Sequence, residues 1–170
     1  VLIIQAHKEK LNRKEFPDYG GQKYTSARLM TKGKAAWTYG FYEIRAKLPC
    51  GVGTWPAIWM LPEKDGFKWP DDGEIDIMEH VGFAPGEVNQ TVHTKGMNHI
   101  LGTHDLVKTQ VPTACGAMHR YQLTWTPEYM VMGIDDVPRF GLVNNGDPAI
   151  WPFDKPMYLL LNIAVGGVWG

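Results

Sequence analysis

Cysteine is nearly absent. Cys50 and Cys115 are the only two and lie far apart, so no spaced metal-ligand motif can be built from them. They either pair or remain as two buried thiols, and the sequence leaves both open. An excess of charge of one sign is also missing. Seventeen Lys and Arg against 18 Asp and Glu leave a formal charge of −1 with no basic stripe, which excludes the electrostatic footprint of a protein that binds nucleic acid or an anionic membrane. No apolar run approaches the roughly 20 residues that a membrane-spanning helix requires. No convincing 3.6-residue period extends over a window of about 11 residues, and no internal repeat is visible.

Turn formers and tryptophan are abundant: 19 Gly, 12 Pro and 7 Trp in 170 residues. Many turns between short strands account for the first two, and a surface that stacks on sugar rings, beside ordinary core filling, accounts for the third. The length suits one domain with one core.

Strand patterns recur between turn signals. Val1 to Ala6 and Tyr24 to Met30 read as strands, with a loop at Pro17, Gly20 and Gly21 between them. In Trp37 to Leu48 a two-residue period places Tyr42, Ile44, Ala46 and Leu48 in the core, opposite Phe41, Glu43, Arg45 and Lys47. Periodicity alone favours solvent for that second face. Trp55 to Pro62 is an apolar run bounded by prolines and reads as a buried strand. Asn89 to Thr94, His119 to Trp125, Tyr129 to Ile134 and Tyr158 to Val165 complete the set. Asp135-Asp136 sits at a tight hairpin turn, and Asn144 to Pro148 is a strong turn signal. Met97 to Thr109, polar and rich in histidine, reads as a surface loop. Short strands at turn-bounded intervals predict an all-β sandwich or barrel.

One stretch stands out, Gly73-Glu74-Ile75-Asp76-Ile77-Met78-Glu79-His80. On a strand, Glu74 and Asp76 share one face and Ile75 and Ile77 the other. Strict alternation would send Glu79 into the core, where an unpaired carboxylate is expensive. A bulge near Met78 returns it to the side of Glu74 and Asp76, and bulges gather beside active sites. Paired carboxylates flanking a scissile bond are the machinery of glycoside hydrolysis, and an aspartate between them can orient the nucleophile and separate the titrations. Spacing alone leaves catalysis, a cation site and a solvated strand all open. Calcium wants about six to eight oxygens, more than this stretch supplies.

The surrounding motifs narrow the choice. Trp55-Pro56-Ala57-Ile58-Trp59-Met60-Leu61-Pro62, Trp69-Pro70 and the Glu-x-Asp-x-x-Glu signature of Glu74, Asp76 and Glu79 together resemble the laminarinase-type branch of the family-16 glycoside hydrolases. The likeness continues through Tyr39 to Pro49, Thr91-Val92-His93, Leu123 to Pro127 and Leu159 to Gly167, nearly the full chain. It implies a β-jelly-roll sandwich of two antiparallel sheets, concanavalin-like, with a concave substrate cleft. It implies endo-hydrolysis of β-1,3-glucan with retention, Glu74 as nucleophile, Asp76 as its helper and Glu79 as acid/base. By the same resemblance Trp55, Trp59 and Trp69 are cleft tryptophans, with Trp59 also a fair core candidate. His93 stands near the acid/base, and Glu43 and Arg45 contact sugar hydroxyls, against the preference from periodicity. Asn162 and Trp169 are further substrate-binding positions.

The resemblance implies no cofactor or metal for the chemistry, secretion, and a polysaccharide as partner rather than nucleic acid or membrane. The family's first and last strands are missing here, so residues 1–170 are expected to form a single catalytic domain truncated at both ends. A further chain segment is then expected to complete the sandwich, in a protein otherwise monomeric. The structural calcium often found in the family uses residues from those absent ends. Alternatives on the same fold are hydrolysis of mixed-linkage glucan or sulfated galactan, and β-glucan binding without catalysis. Mixed-linkage enzymes usually carry the shorter Glu-x-Asp-x-Glu, and non-catalytic relatives typically lose the carboxylates that this sequence keeps.

Overall fold

Two-residue alternation in the sequence becomes strand in the computed structural model, which describes residues 1–170 and contains no helix. The strands are β1 (His7–Lys8), β2 (Tyr24–Thr25), β3 (Arg28–Met30), β4 (Gly40–Ala46), β5 (Thr54–Pro62), β6 (Glu74–His80), β7 (Glu87–His93), β8 (Val107–Gln110), β9 (His119–Trp125), β10 (Tyr129–Ile134), β11 (Val137–Val143) and β12 (Met157–Val165). They form a six-stranded sheet in the order β3-β12-β5-β6-β7-β8, a four-stranded sheet in the order β11-β10-β9-β4, and a β1-β2 ribbon. All pairings are antiparallel.

The two larger sheets pack face to face as a sandwich. Met60, Ile75, Ile77 and Met78 from one meet Tyr121, Leu123, Met130 and Met132 from the other, all essentially without solvent contact. Each such side chain contributes on the order of 1.5–3 kcal/mol through burial. Trp125 joins this core because its indole N–H donates to the Phe153 carbonyl at 3.1 Å, leaving no donor unpaired. The β10-β11 hairpin turns at Asp135 and Asp136, with φ of 51° and 65°. Aspartate tolerates this left-handed region, which a two-residue hairpin turn of this type demands.

The termini of the strand pattern differ from the sequence reading. Val1 to Ala6 forms no strand; only His7–Lys8 pairs, with β2. Tyr24 to Met30 splits at Ser26-Ala27, because β2 pairs in the ribbon whereas β3 pairs with β12 of the large sheet. Partner choice is non-local, and periodicity carries no record of it. Cys50 and Cys115 form a disulfide, with Cα atoms 5.8 Å apart.

Candidate active site

Gly73 opens β6 with φ of 90°, and a Cβ there would lie 2.8 Å from the Phe153 ring, so only glycine fits at this entry. From it Glu74 and Asp76 project into a cleft while Ile75 and Ile77 enter the core. The bulge is where the phase of Glu79 requires it. Across β7, Asp76 faces Thr91 and Glu79 faces Asn89, so three steps on β6 match two on its neighbour. Across β5, the single step from Ile58 to Trp59 matches two steps on β6. The extra residue goes inward: Ile77 and Met78 are both buried, and Glu79 returns to the cleft face.

The cleft, of about 600 Å³, is floored by β6, β5 and β12. Its tryptophans do more than present ring faces. Trp69 Nε1 donates to Glu74 Oε2 at 2.9 Å, Trp55 Nε1 donates to Glu79 Oε1 at 2.9 Å, and Trp59 Nε1 donates to Asn162 Oδ1 at 2.7 Å. Trp59 therefore lies half-buried in the cleft wall, not in the core. Trp169 packs edge-on against Trp55, with centroids 5.1 Å apart, and braces that indole.

Burial dominates the electrostatics. It pushes Glu74 and Glu79 up to about 7, against the downward pull of their indole donors. Asp76, 2% exposed, is pushed well above the usual carboxylate range by burial and then by the charges of Glu74 and Glu79. The contact between the two carboxyls raises Asp76 further and lowers Glu74, so it favours the proton on Asp76 and the charge on Glu74. His93 Nε2 lies 3.5 Å from Asp76 Oδ2. Burial, and then the neighbouring His99 and His104, lower His93 to about 4, so the imidazole is neutral and this contact is not an ion pair near pH 7.

The loop after β5 holds Trp69 in place. Asp72 accepts from Lys64 Nζ at 2.6 Å, from the Lys68 backbone N–H at 2.8 Å and from Lys155 Nζ at 3.4 Å. Those donors bring its carboxyl down to about 2 despite burial.

Two site neighbours escape the sequence reading. His99 and His104, in the segment read as a surface loop, fold back onto His93 with ring centroids 5.2 and 5.6 Å away, and His99 also lies 5.2 Å from Trp69. The only signal for them is the recurrence of histidine. Two other residues are absent from the cleft. Glu43 and Arg45 belong to β4 of the opposite sheet and point outward to solvent, where Gln122 Nε2 donates to Glu43 at 2.7 Å. The sugar contacts that the resemblance implies for them are not available from that face, and the plain two-residue alternation places them correctly.

Glu74, Asp76 and His93 bring one ligand atom each within 4.8 Å of one another, too few donors for calcium. Cys50, His80 and Cys115 also converge, but both sulfurs are committed to the disulfide.

The family model for glycosyl hydrolases of family 16 matches residues 4–170. A β-glucanase of Rhodothermus marinus is 52% identical over 179 residues, a match that covers all of this chain and 60% of that protein. The laminarinase structure from the same organism superposes with a TM-score of 0.89 at 50% identity, covering 98% of this chain and 67% of that one. SCLam, a non-specific endo-β-1,3(4)-glucanase, superposes with a TM-score of 0.89 at 46% identity, covering 97% of this chain and 61% of that one. This chain thus spans about three fifths to two thirds of the length of these relatives. The bulged carboxylate strand, the two-sheet sandwich around it and a family match running through nearly every residue agree, and the chain belongs to glycosyl hydrolase family 16.

Proposed function

We propose that the chain carries the active site of a retaining endo-β-1,3-glucanase, with Glu74 as nucleophile and Glu79 as acid/base. The observation that carries this is the pair of glutamates on one face of β6, each fixed by an indole N–H, with the buried Asp76 between them. Ionised Glu74 attacks the anomeric carbon and forms a glycosyl-enzyme ester, while Glu79, held protonated by burial, gives its proton to the departing sugar oxygen. Glu79 then takes a proton from water, whose oxygen attacks the anomeric carbon and releases Glu74. Two displacements preserve the anomeric configuration. Asp76 donates a hydrogen bond to Glu74 and so stabilises it as the carboxylate that attacks and later leaves.

Indole faces along the cleft suit a neutral polysaccharide, since a flat sugar face gains apolar contact without needing a charged partner. The likeness to the R. marinus laminarinase supports β-1,3-glucan as that polysaccharide. The likeness to SCLam, a non-specific endo-β-1,3(4)-glucanase at 46% identity, supports a second reading in which mixed-linkage glucan is also cut. The disulfide fits an oxidising, extracytoplasmic setting.

Incubation with laminarin and with lichenan, followed by reducing-end assay, tests both readings. Laminarin is expected to yield new reducing ends, and Glu74→Ser to abolish them. No reducing ends from the parent protein, or binding to β-1,3-glucan with hydrolysis indifferent to Glu74→Ser, would refute the proposal.

A further inference from the structure

We propose that the Cys50–Cys115 disulfide, acting through His80, positions Glu79 for proton transfer, so that its reduction weakens acid/base catalysis while sparing the nucleophile. This rests on the glucanase reading above. His80 directly follows Glu79, is fully buried, and places Nε2 3.6 Å from Cys50 Sγ. The same nitrogen accepts the Gly86 backbone N–H at 3.3 Å, which fixes the ring's orientation. On the other side of Glu79, the turn that follows Cys50 leads straight into Trp55, the indole donor to Glu79.

That turn is itself pinned to the chain beyond His80. Thr54 donates from Oγ1 and from its backbone N–H to the Gly51 carbonyl at 2.7 and 2.9 Å, and the Gly82 N–H donates to the Thr54 carbonyl at 2.8 Å. The approach is so close that a Cβ on Gly82 would stand 1.8 Å from the Gly51 oxygen. The contacts close a ring: Cys50, the turn, Trp55, Glu79, His80 and back to Cys50. Cys115 anchors this ring to the loop after β8, where the Leu48 N–H also donates to the Ala114 carbonyl at 3.0 Å. Glu74 stands outside the ring, held by Trp69 and the Asp72-anchored loop at the other end of β6.

Reduction by a dithiol such as dithiothreitol transfers two electrons and two protons, leaving two thiols here and a cyclic disulfide on the reagent. The sulfurs then separate, and the turn that leads into Trp55 loses its covalent tie to the loop after β8. Any disulfide that closes a long chain segment also stabilises the fold, so a fall in melting temperature does not by itself distinguish a positioning role.

The leaving group does distinguish it. A sugar leaving group needs the proton of Glu79, whereas a dinitrophenolate departs without one. The experiment compares kcat/KM for a laminari-oligosaccharide and for its dinitrophenyl glycoside in the parent protein, in Cys50→Ala/Cys115→Ala, and in His80→Gln with the disulfide intact. Near-ultraviolet circular dichroism checks folding. General acid catalysis is worth about 10²–10⁴-fold, so loosening the acid is expected to lower the oligosaccharide rate by about ten-fold or more, with the dinitrophenyl rate within about two-fold. Equal losses on both substrates, or no loss on either, overturn the proposal. If the cysteine variant does not fold, His80→Gln decides by the same split. A parent protein that cleaves neither substrate instead refutes the glucanase reading.

Discussion

The two indole N–H groups act on the two glutamates with opposite kinetic consequences. Each stabilises a carboxylate and so lowers its pKa against the upward push of burial. In the proposed mechanism Glu74 must be ionised to attack, and Glu79 must be protonated to donate. Replacing Trp69 with Phe keeps an aromatic face but removes the donor to Glu74, so the acid limb of the pH–rate profile is expected to move up and the profile to narrow. Trp55→Phe removes the donor to Glu79, so the alkaline limb is expected to move up and the profile to widen. A hydrogen bond to a charged group is worth about 1.5–3 kcal/mol, or roughly one pH unit in a limb after partial solvent replacement. The measurement is kcat/KM on laminarin from pH 4 to pH 9, with both limbs treated as properties of the coupled carboxyls. Limbs that move in the opposite directions, or do not move, would show that the indoles only shape the cleft.

Elements place these residues, and the loop between β5 and β6 does so by one buried charge. Asp72 draws three donors onto itself and thereby fixes Trp69. Its carboxyl is held at about 2 against an ordinary 3.8, so its contribution to stability is full above about 4 and is lost as pH falls through about 2. Asp72→Asn is expected to cost about 1 kcal/mol at pH 6, less than the shift alone implies because Lys64 is half exposed and its pairing is screened. Urea unfolding should show this gap narrowing below pH 4, and laminarin turnover should fall with it as Trp69 loosens. Local rules made some elements legible from sequence and left others hidden. Glu79 betrayed the β6 bulge because a carboxylate stood at an apolar phase, and β9 followed from alternation alone. Alternation also put Glu43 and Arg45 on an outward face, but it could not say that β4 joins the four-stranded sheet rather than the sheet that carries the cleft. His99 and His104 were illegible for a related reason: an irregular loop has no period, and its return to His93 is purely tertiary.

For the whole molecule, the site is a stability cost located in the middle of the larger sheet. Ionising a buried carboxyl is harder in the fold than in the unfolded chain. Glu74 and Glu79 therefore keep protons, between about 4.5 and about 7, that the unfolded chain has released. Over that window stability falls as pH rises. His93 opposes this in part, because between about 4 and 6.5 the unfolded chain binds a proton that the buried imidazole refuses, and stability there rises with pH. Above pH 7 only the carboxylate cost remains. Replacing both glutamates by their neutral isosteres, Glu74→Gln/Glu79→Gln, removes that cost and keeps an oxygen to accept each indole N–H. At pH 8 the double variant is expected to be more stable by at least about 2 kcal/mol, taken below the full linkage value because the carboxyls share protons. For a chain of this size that corresponds to a rise of about 4–8 °C in melting temperature. At about pH 3.5 the two proteins should melt together, since the glutamates, ordinarily titrating at 4.5, are then protonated in the fold and nearly so in the unfolded chain. An inactive variant whose advantage grows between about pH 4.5 and 7 and then levels off would place the cost of catalysis in these two ionised groups. Equal melting temperatures at pH 8 would mean that the cleft solvates them better than their burial implies.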